Sequence, residues 1–259
     1  MSNYWGERVA KAQTQLTTKS IKETEKQLQR YYGTAMKRII EQFEQTYNKL
    51  LANQELNKEI TPADLYKLDK YWQAQNQMRA ELRKLGDRQV SLMSKKFELL
   101  FFDIYFSFGI PGAQTFSTID AAAATQIVNQ IWCADGKSWS ARVWENIDKL
   151  QDALGSSLIN SVVTGAKTTQ LKKQLQEQFG VSYTRADVIA RTELAHIQTQ
   201  AARQRYQDYG IQEVEVWVDE DERTCPICAK HEGERHSVNS QMPVPFHPRC
   251  RCCMVPVVE

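Results

Sequence analysis

The stretch Gly210-Ile211-Gln212-Glu213-Val214-Glu215-Val216-Trp217-Val218 decides the reading of the fold. Before Gly210, apolar residues recur at spacings of three and four, the period of a helix face. After it, Val214, Val216 and Val218 alternate with Glu215 and Trp217, the period of a half-buried strand. The last residues, Met254-Val255-Pro256-Val257-Val258, are strand-like again. The expected fold class is therefore mainly α: a long-helix N-terminal half, then a small α+β C-terminal unit. A small antiparallel sheet with a long Cys- and His-bearing loop between its strands should form the end.

Toward the N-terminus the helical signal continues. In residues 20–52, Leu28, Tyr32, Met36, Ile39, Phe43 and Leu50 trace one face. Thr61-Pro62-Ala63-Asp64 reads as a helix start, with Thr61 as N-cap and Pro62 in the first turn. A long helix should follow through Leu65, Leu68, Trp72, Met78, Leu82, Leu85 and Leu92, with Gly86 a candidate interruption. A coiled coil fits this stripe less well than a bundle core, because the heptad drifts and Gln75 and Gln89 sit on its seam.

The apolar run Phe97–Ile110 is short for a bilayer span and contains Glu98 and Asp103, so it reads as the buried end of a helix. Gly109-Ile110-Pro111-Gly112 is the clearest punctuation in the chain. It places a boundary between a helical domain, residues 1–112, and a second domain, residues 113–259. The second divides into a helical part, 113–212, and the Cys/His-containing β unit, 213–259. Within it, helices should resume near Thr118, turn at Asp135-Gly136, and run from about Ser140 to Val163, where Gly165 stops them. Leu171, Leu175 and Phe179 predict a short helix closed by Gly180, and Ser182 or Thr184 then caps a last helix ending at Tyr209-Gly210.

Five of the six cysteines fall in the β unit. They lie in Cys225-Pro226-Ile227-Cys228 and in His247-Pro248-Arg249-Cys250-Arg251-Cys252-Cys253. A Cys-x-x-Cys turn brings two thiolates to one point, and a second pair farther along can complete a tetrahedron around zinc. Cys225, Cys228, His247 and Cys250 would make a closed, structural site. Cys252 can replace Cys250 or His247, since alternate residues of a strand share a face. Reduced buried thiols without metal and, less readily, disulfides are the competing readings. Cys133, alone in a helical region, is expected in the core. His231 and His236 are expected to be solvent-exposed loop residues.

Composition sets further bounds. Of 259 residues, 42% are hydrophobic and 25% charged, which excludes disorder as the default reading. The start, Met1-Ser2-Asn3-Tyr4-Trp5, lacks a basic segment followed by an apolar run, so folding in a reducing cytoplasm is expected. Residues 213–259 carry five basic and nine acidic side chains, leaving a surplus of +6 on residues 1–212. That surplus permits weak, sequence-independent contact with double-stranded DNA.

Residues 139–256 resemble the Mu F-like head-morphogenesis domain of tailed bacteriophages. The resemblance is carried by Arg191-Thr192-Glu193 in a helix, then small residues, Tyr206 and Gly210. It continues in Trp217, Asp221-Glu222-Arg223-Thr224-Cys225-Pro226-Ile227-Cys228, Gly233, and Pro245-Phe246-His247-Pro248-Arg249-Cys250-Arg251-Cys252. It departs from the family pattern at His231 and His236, which flank Gly233, and at Pro243 and Pro245, which Val244 separates. The resemblance implies a minor capsid protein, portal-associated inside the head, with capsid or scaffold partners and contact with DNA during packaging or ejection. It implies a virion location, reached from the host cytoplasm.

Arg191 and Glu193 point about 200° apart on a helix, so they cannot pair with each other. Each is expected to tie the helix to the zinc unit. The alternative is a metal-dependent nuclease or hydrolase with Glu193 and His196 as acid and base. It lacks a nucleophile and an open metal position, so a non-enzymatic assembly role is the expected function.

Overall fold

The computed structural model describes residues 4–52, 61–107, 109, 119–219 and 221–258. Seven helices are seen among them: α1 (Tyr4–Ala52), α2 (Pro62–Leu65), α3 (Asp69–Phe106), α4 (Ala121–Val128), α5 (Trp139–Thr164), α6 (Thr168–Asp208) and α7 (Pro226–Ala229). Three strands follow the helical part: β1 (Glu213–Trp217), β2 (Arg235–Ser237) and β3 (Cys253–Pro256), in the order β2-β1-β3. The mainly α fold with a small C-terminal sheet is as the sequence pattern predicts. Leu50 and Asp64, as side chains, and Ile110-Pro111-Gly112 and Thr118 lie outside the described residues, and with them the expected boundary after residue 112.

The described residues fall into two compact units. One draws on 1–25, 92–139 and 188–259, the other on 26–91 and 140–187. The helices α1, α3 and α6 each contribute to both.

The second unit is a packed helical core. Ile39, Phe43 and Tyr47 of α1, Met78 and Leu82 of α3, Leu150, Leu154 and Leu158 of α5, and Leu171 and Leu175 of α6 are buried in one cluster. Four helices share this core, which is why a two-stranded heptad pattern does not fit. The two glutamines on the supposed seam are buried with partners: Gln75 Nε2 donates to Tyr71 Oη at 3.2 Å, and Gln89 Oε1 accepts from Tyr32 at 3.1 Å. Tyr32 in turn accepts from Asn146 Nδ2 at 3.1 Å, and burial pushes its phenol up to about 12.

Glycine misleads the sequence reading twice here. Gly86 does not interrupt α3, and Gly180 does not end a helix, since α6 runs unbroken from Thr168 to Asp208. An interior glycine costs a helix only about 1 kcal/mol. Leu171, Leu175, Phe179 and Ala186, on both sides of Gly180, are buried in the same core and outweigh that cost. The predicted caps are interior residues: Thr184 Oγ1 donates to the Gly180 carbonyl at 2.9 Å, and the Ser182 carbonyl accepts from Asn146 at 2.9 Å. The helix started by Pro62 is also corrected. It stops after one turn at Leu65, and α3 begins afresh at Asp69.

The first unit holds the sheet. β1 pairs antiparallel with both neighbours, Val214 opposite His236 and Trp217 opposite Cys253. All four residues of β3 are buried. Ala10 of α1 packs with Cys253 and Val255, and Trp217 packs against them. A buried polar knot fixes this arrangement. Gln13 Nε2 donates to Tyr206 Oη at 3.0 Å and to the Met254 carbonyl at 2.9 Å, and Tyr206 Oη donates to the same carbonyl at 2.9 Å. The end of α3 is buried at Phe97, Phe101, Ile104 and Tyr105, as expected. Among the described residues, no helix is long and apolar enough to cross a membrane. Asp120 caps α4 by accepting from the Ala123 N–H at 2.7 Å, and Gly136 takes its turn with φ +66°.

Candidate metal centre

Two tight turns build the site. In the first, Cys225 has extended backbone angles and caps α7, its Sγ accepting from the Cys228 N–H at 3.4 Å. Pro226 occupies the first helical position, where a missing N–H costs nothing. In the second, the Cys250 N–H donates to the His247 carbonyl at 3.1 Å across Pro248 and Arg249. Pro248 supplies the fixed φ of the second turn position, and Arg249 takes the third with φ +62°. That left-handed angle is unusual for a side chain other than glycine or asparagine.

The turns meet at Cys228. His247 Nε2 lies 3.2 Å from Cys225 Sγ and 3.1 Å from Cys228 Sγ, and Cys228 Sγ lies 3.7 Å from Cys250 Sγ. Two donor triplets share Cys228: Cys225, Cys228 and His247 in one, and Cys228, Cys250 and Cys252 in the other. In each, the ligand atoms all lie within 4.8 Å of one another. Tetrahedral zinc bonds of about 2.3 Å to sulfur and 2.0 Å to nitrogen would hold ligand atoms roughly 3.5–3.8 Å apart. Cys225, Cys228, His247, Cys250 and Cys252, singled out by their spacing, are thus brought together in two triplets that could hold a metal.

The protonation pattern suits one too. His247 Nδ1 donates to the Pro248 carbonyl at 2.8 Å, which leaves the lone pair of Nε2 turned toward the two thiols. Cys225 is lowered to about 7, chiefly by the Cys228 N–H, and Cys250 to about 5, chiefly by a hydrogen bond from Cys252. Burial pushes Cys228 up to about 12, and Cys252 is raised by its bond to Cys250. Four thiols crowded together cannot all ionise without a cation among them. The cluster could therefore hold a metal.

Around the donors lies a charged brace. Arg251 Nη1 donates to Asp221 at 2.7 Å and a second bond joins its Nη2 to the same carboxylate; Asp219 lies 3.5 Å away. Asp221 also accepts from the Arg223 N–H at 2.8 Å, and the guanidinium of Arg251 holds its carboxyl far below the ordinary carboxylate range. The resemblance singles out Asp221 and Arg223 and includes Arg251 without giving it a role; Asp219 is not singled out. The alternation Arg249-Cys250-Arg251-Cys252 carried the signal, because an arginine between two buried cysteines must reach outward.

The Arg191-Thr192-Glu193 motif reaches partners on several elements. Arg191 pairs with Glu25 of α1, and Glu193 accepts from Trp132 Nε1 at 2.9 Å. The middle residue reaches the cysteine loop: Thr192 Oγ1 accepts from the Arg249 N–H at 3.2 Å. Trp132 also stacks flat on His196, with centroids 4.2 Å apart. Expectations outside the motif are corrected. Cys133 is half-buried in a turn, outside the core. His236 sits on β2, and His231, also half-buried, stacks on Phe246 and bonds to Glu234 at 2.9 Å. A three-residue strand such as β2, with no apolar alternation, leaves no periodic mark. Cys253, adjacent to the donors in sequence, faces the core with Val255.

Residues 152–255 match the family described as phage Mu protein F like protein. The matched segment spans α6, β1, β2, β3 as far as Val255 and every donor of the centre. The resemblance read from the Arg-Thr-Glu motif and the Cys/His spacing is borne out over that segment. No curated protein and no solved structure matches the chain.

The Mu F-like segment also contains an acid-sensitive group. Burial lowers His196 to about 4, from an ordinary 6.5. The unfolded chain binds this proton below about pH 6.5 and the folded chain only near pH 4, so stability is full above that window and falls through it as pH drops. The loss should reach the order of 3 kcal/mol. His196→Phe keeps the stack on Trp132 and should remove this component. Urea unfolding of both proteins between pH 7 and pH 4 checks it; parallel decline of the two curves would show that His196 is not held neutral.

Proposed function

We propose that this chain is a phage minor head protein acting in procapsid and head assembly, associated with the portal inside the capsid. The Mu F-like match carries the reading, since that family implies head morphogenesis and capsid-assembly partners. The Cys/His centre supports a structural role. Its candidate ligands, Cys225, Cys228, His247 and Cys250 with Cys252 as the alternative fourth, supply enough protein donors to close one zinc site without a water position. The long helices before residue 110 offer the larger surface for portal or scaffold contact. The basic surplus of residues 1–212 suits weak, salt-sensitive contact with packaged DNA. The protein would reach the virion interior from the host cytoplasm during assembly.

The test uses the whole chain. Tagged protein, co-expressed with the portal protein of the same phage, should co-purify with it, and purified heads should contain the chain by mass spectrometry. A chain absent from heads and indifferent to the portal overturns the reading. Metal-dependent cleavage of DNA that vanishes in Glu193→Gln would replace it with the nuclease reading.

A further inference from the structure

A basic cavity lies within the first unit. It has a volume of about 320 Å³ and lies between the Thr14–Glu25 stretch of α1, the middle of α6 and the cysteine loop. Lys22, Arg191, Arg249 and Arg251 contribute to its wall. Two carboxylates share it: Glu25, paired with Arg191, and Asp219, 3.5 Å from Arg251. With Arg223 also in the wall and Asp221 bonded to Arg251, five cations stand against three carboxylates among the described residues.

A second observation is independent of charge. Thr17 lines the cavity, is only 6% exposed, and its Oγ1 has no hydrogen-bond partner among the described residues. A helical threonine normally returns its hydroxyl proton to the carbonyl one turn back, as Thr24 does to Ser20 at 2.7 Å. An orphaned buried hydroxyl is destabilising unless something occupies the space in front of it. Gln198, also buried, lines the same space.

We propose that this cavity is a phosphate-binding site, with Lys22 and the arginine wall neutralising the anion and Thr17 donating to one of its oxygens. The chemistry is that of tetrahedral oxyanions, which arginine forks, ammonium groups and hydroxyls bind together. The cavity is larger than one phosphate, so the group can arrive free, on a small ester, or on a DNA strand. The site stands apart from the portal reading and does not depend on it.

Inorganic phosphate titrated into the metal-loaded full chain, followed by calorimetry, should bind saturably. Lys22→Met, on an exposed residue, should weaken it about tenfold. Thr17→Val, which keeps the shape, should weaken it about threefold and leave the phosphate-free protein at least as stable as the parent. That combination is one a purely structural threonine would not give. Phosphate displaced by a short DNA duplex assigns the site to a phosphodiester backbone; phosphate retained assigns it to a small phosphorylated ligand. No saturable binding, or binding unchanged in both variants, overturns the proposal.

Discussion

Stripping the metal should unfold the sheet and cysteine loops while the core around Phe43 and Leu154 keeps its protection. Protein prepared without chelator should carry about one zinc per chain by elemental analysis. Zinc binding of this type contributes on the order of 10 kcal/mol, more than the stability of many domains. Without it, the site leaves three buried thiols, Cys228, Cys250 and Cys252, within 4.8 Å of one another. Cys225→Ser should reproduce the effect. Serine is a good N-cap, so α7 keeps its cap and the loss reports the missing thiolate. Cys253→Ala, off the cluster, should retain the metal. Hydrogen exchange separates the outcomes: lost protection confined to the cysteine-bearing segment and sheet is expected, whereas unchanged exchange in Cys225→Ser, or protein free of metal, refutes the centre.

Gly86→Ala should destabilise the helical core by about 2–3 kcal/mol, the reverse of the usual effect. Alanine in mid-helix is normally worth about 1 kcal/mol over glycine. Here a Cβ on residue 86 would stand 2.4 Å from Cζ3 and 2.7 Å from Cη2 of Trp144, whose indole packs against the core. The ring cannot yield without disturbing its buried neighbours. Trp144→Phe shortens the side chain and should recover much of the loss in the double variant, a coupling that a cycle of urea midpoints measures. Additive effects would mean that the indole moves aside freely.

The sequence is most readable where chemistry is local. Cys225 and Cys228 share one turn, His247 and Cys250 share another, and the donors they bring together are those their spacing suggests. Period-two alternation located β1, and helix-period stripes located the long helices. Glycines misled because packing outweighs a small local cost, as at Gly180. Long-range pairings left no trace: nothing in the sequence couples Arg251 to Asp221, Glu193 to Trp132, or Gln13 to Met254, since each partner satisfies a buried or charged group from far along the chain. The grouping of the chain into two interleaved units is illegible for the same reason.

The knot of Gln13, Tyr206 and Met254 also sets a timetable. At ordinary synthesis speeds, roughly 10–50 s separate the appearance of Gln13 and of Met254 at the ribosome. Throughout that interval the buried face at Val9, Ala10 and Gln13 has no sheet to cover it. The second unit, complete once residue 187 has emerged, can fold first. The nascent chain therefore carries this face uncovered until its last strand arrives, and chaperones have that long to find it.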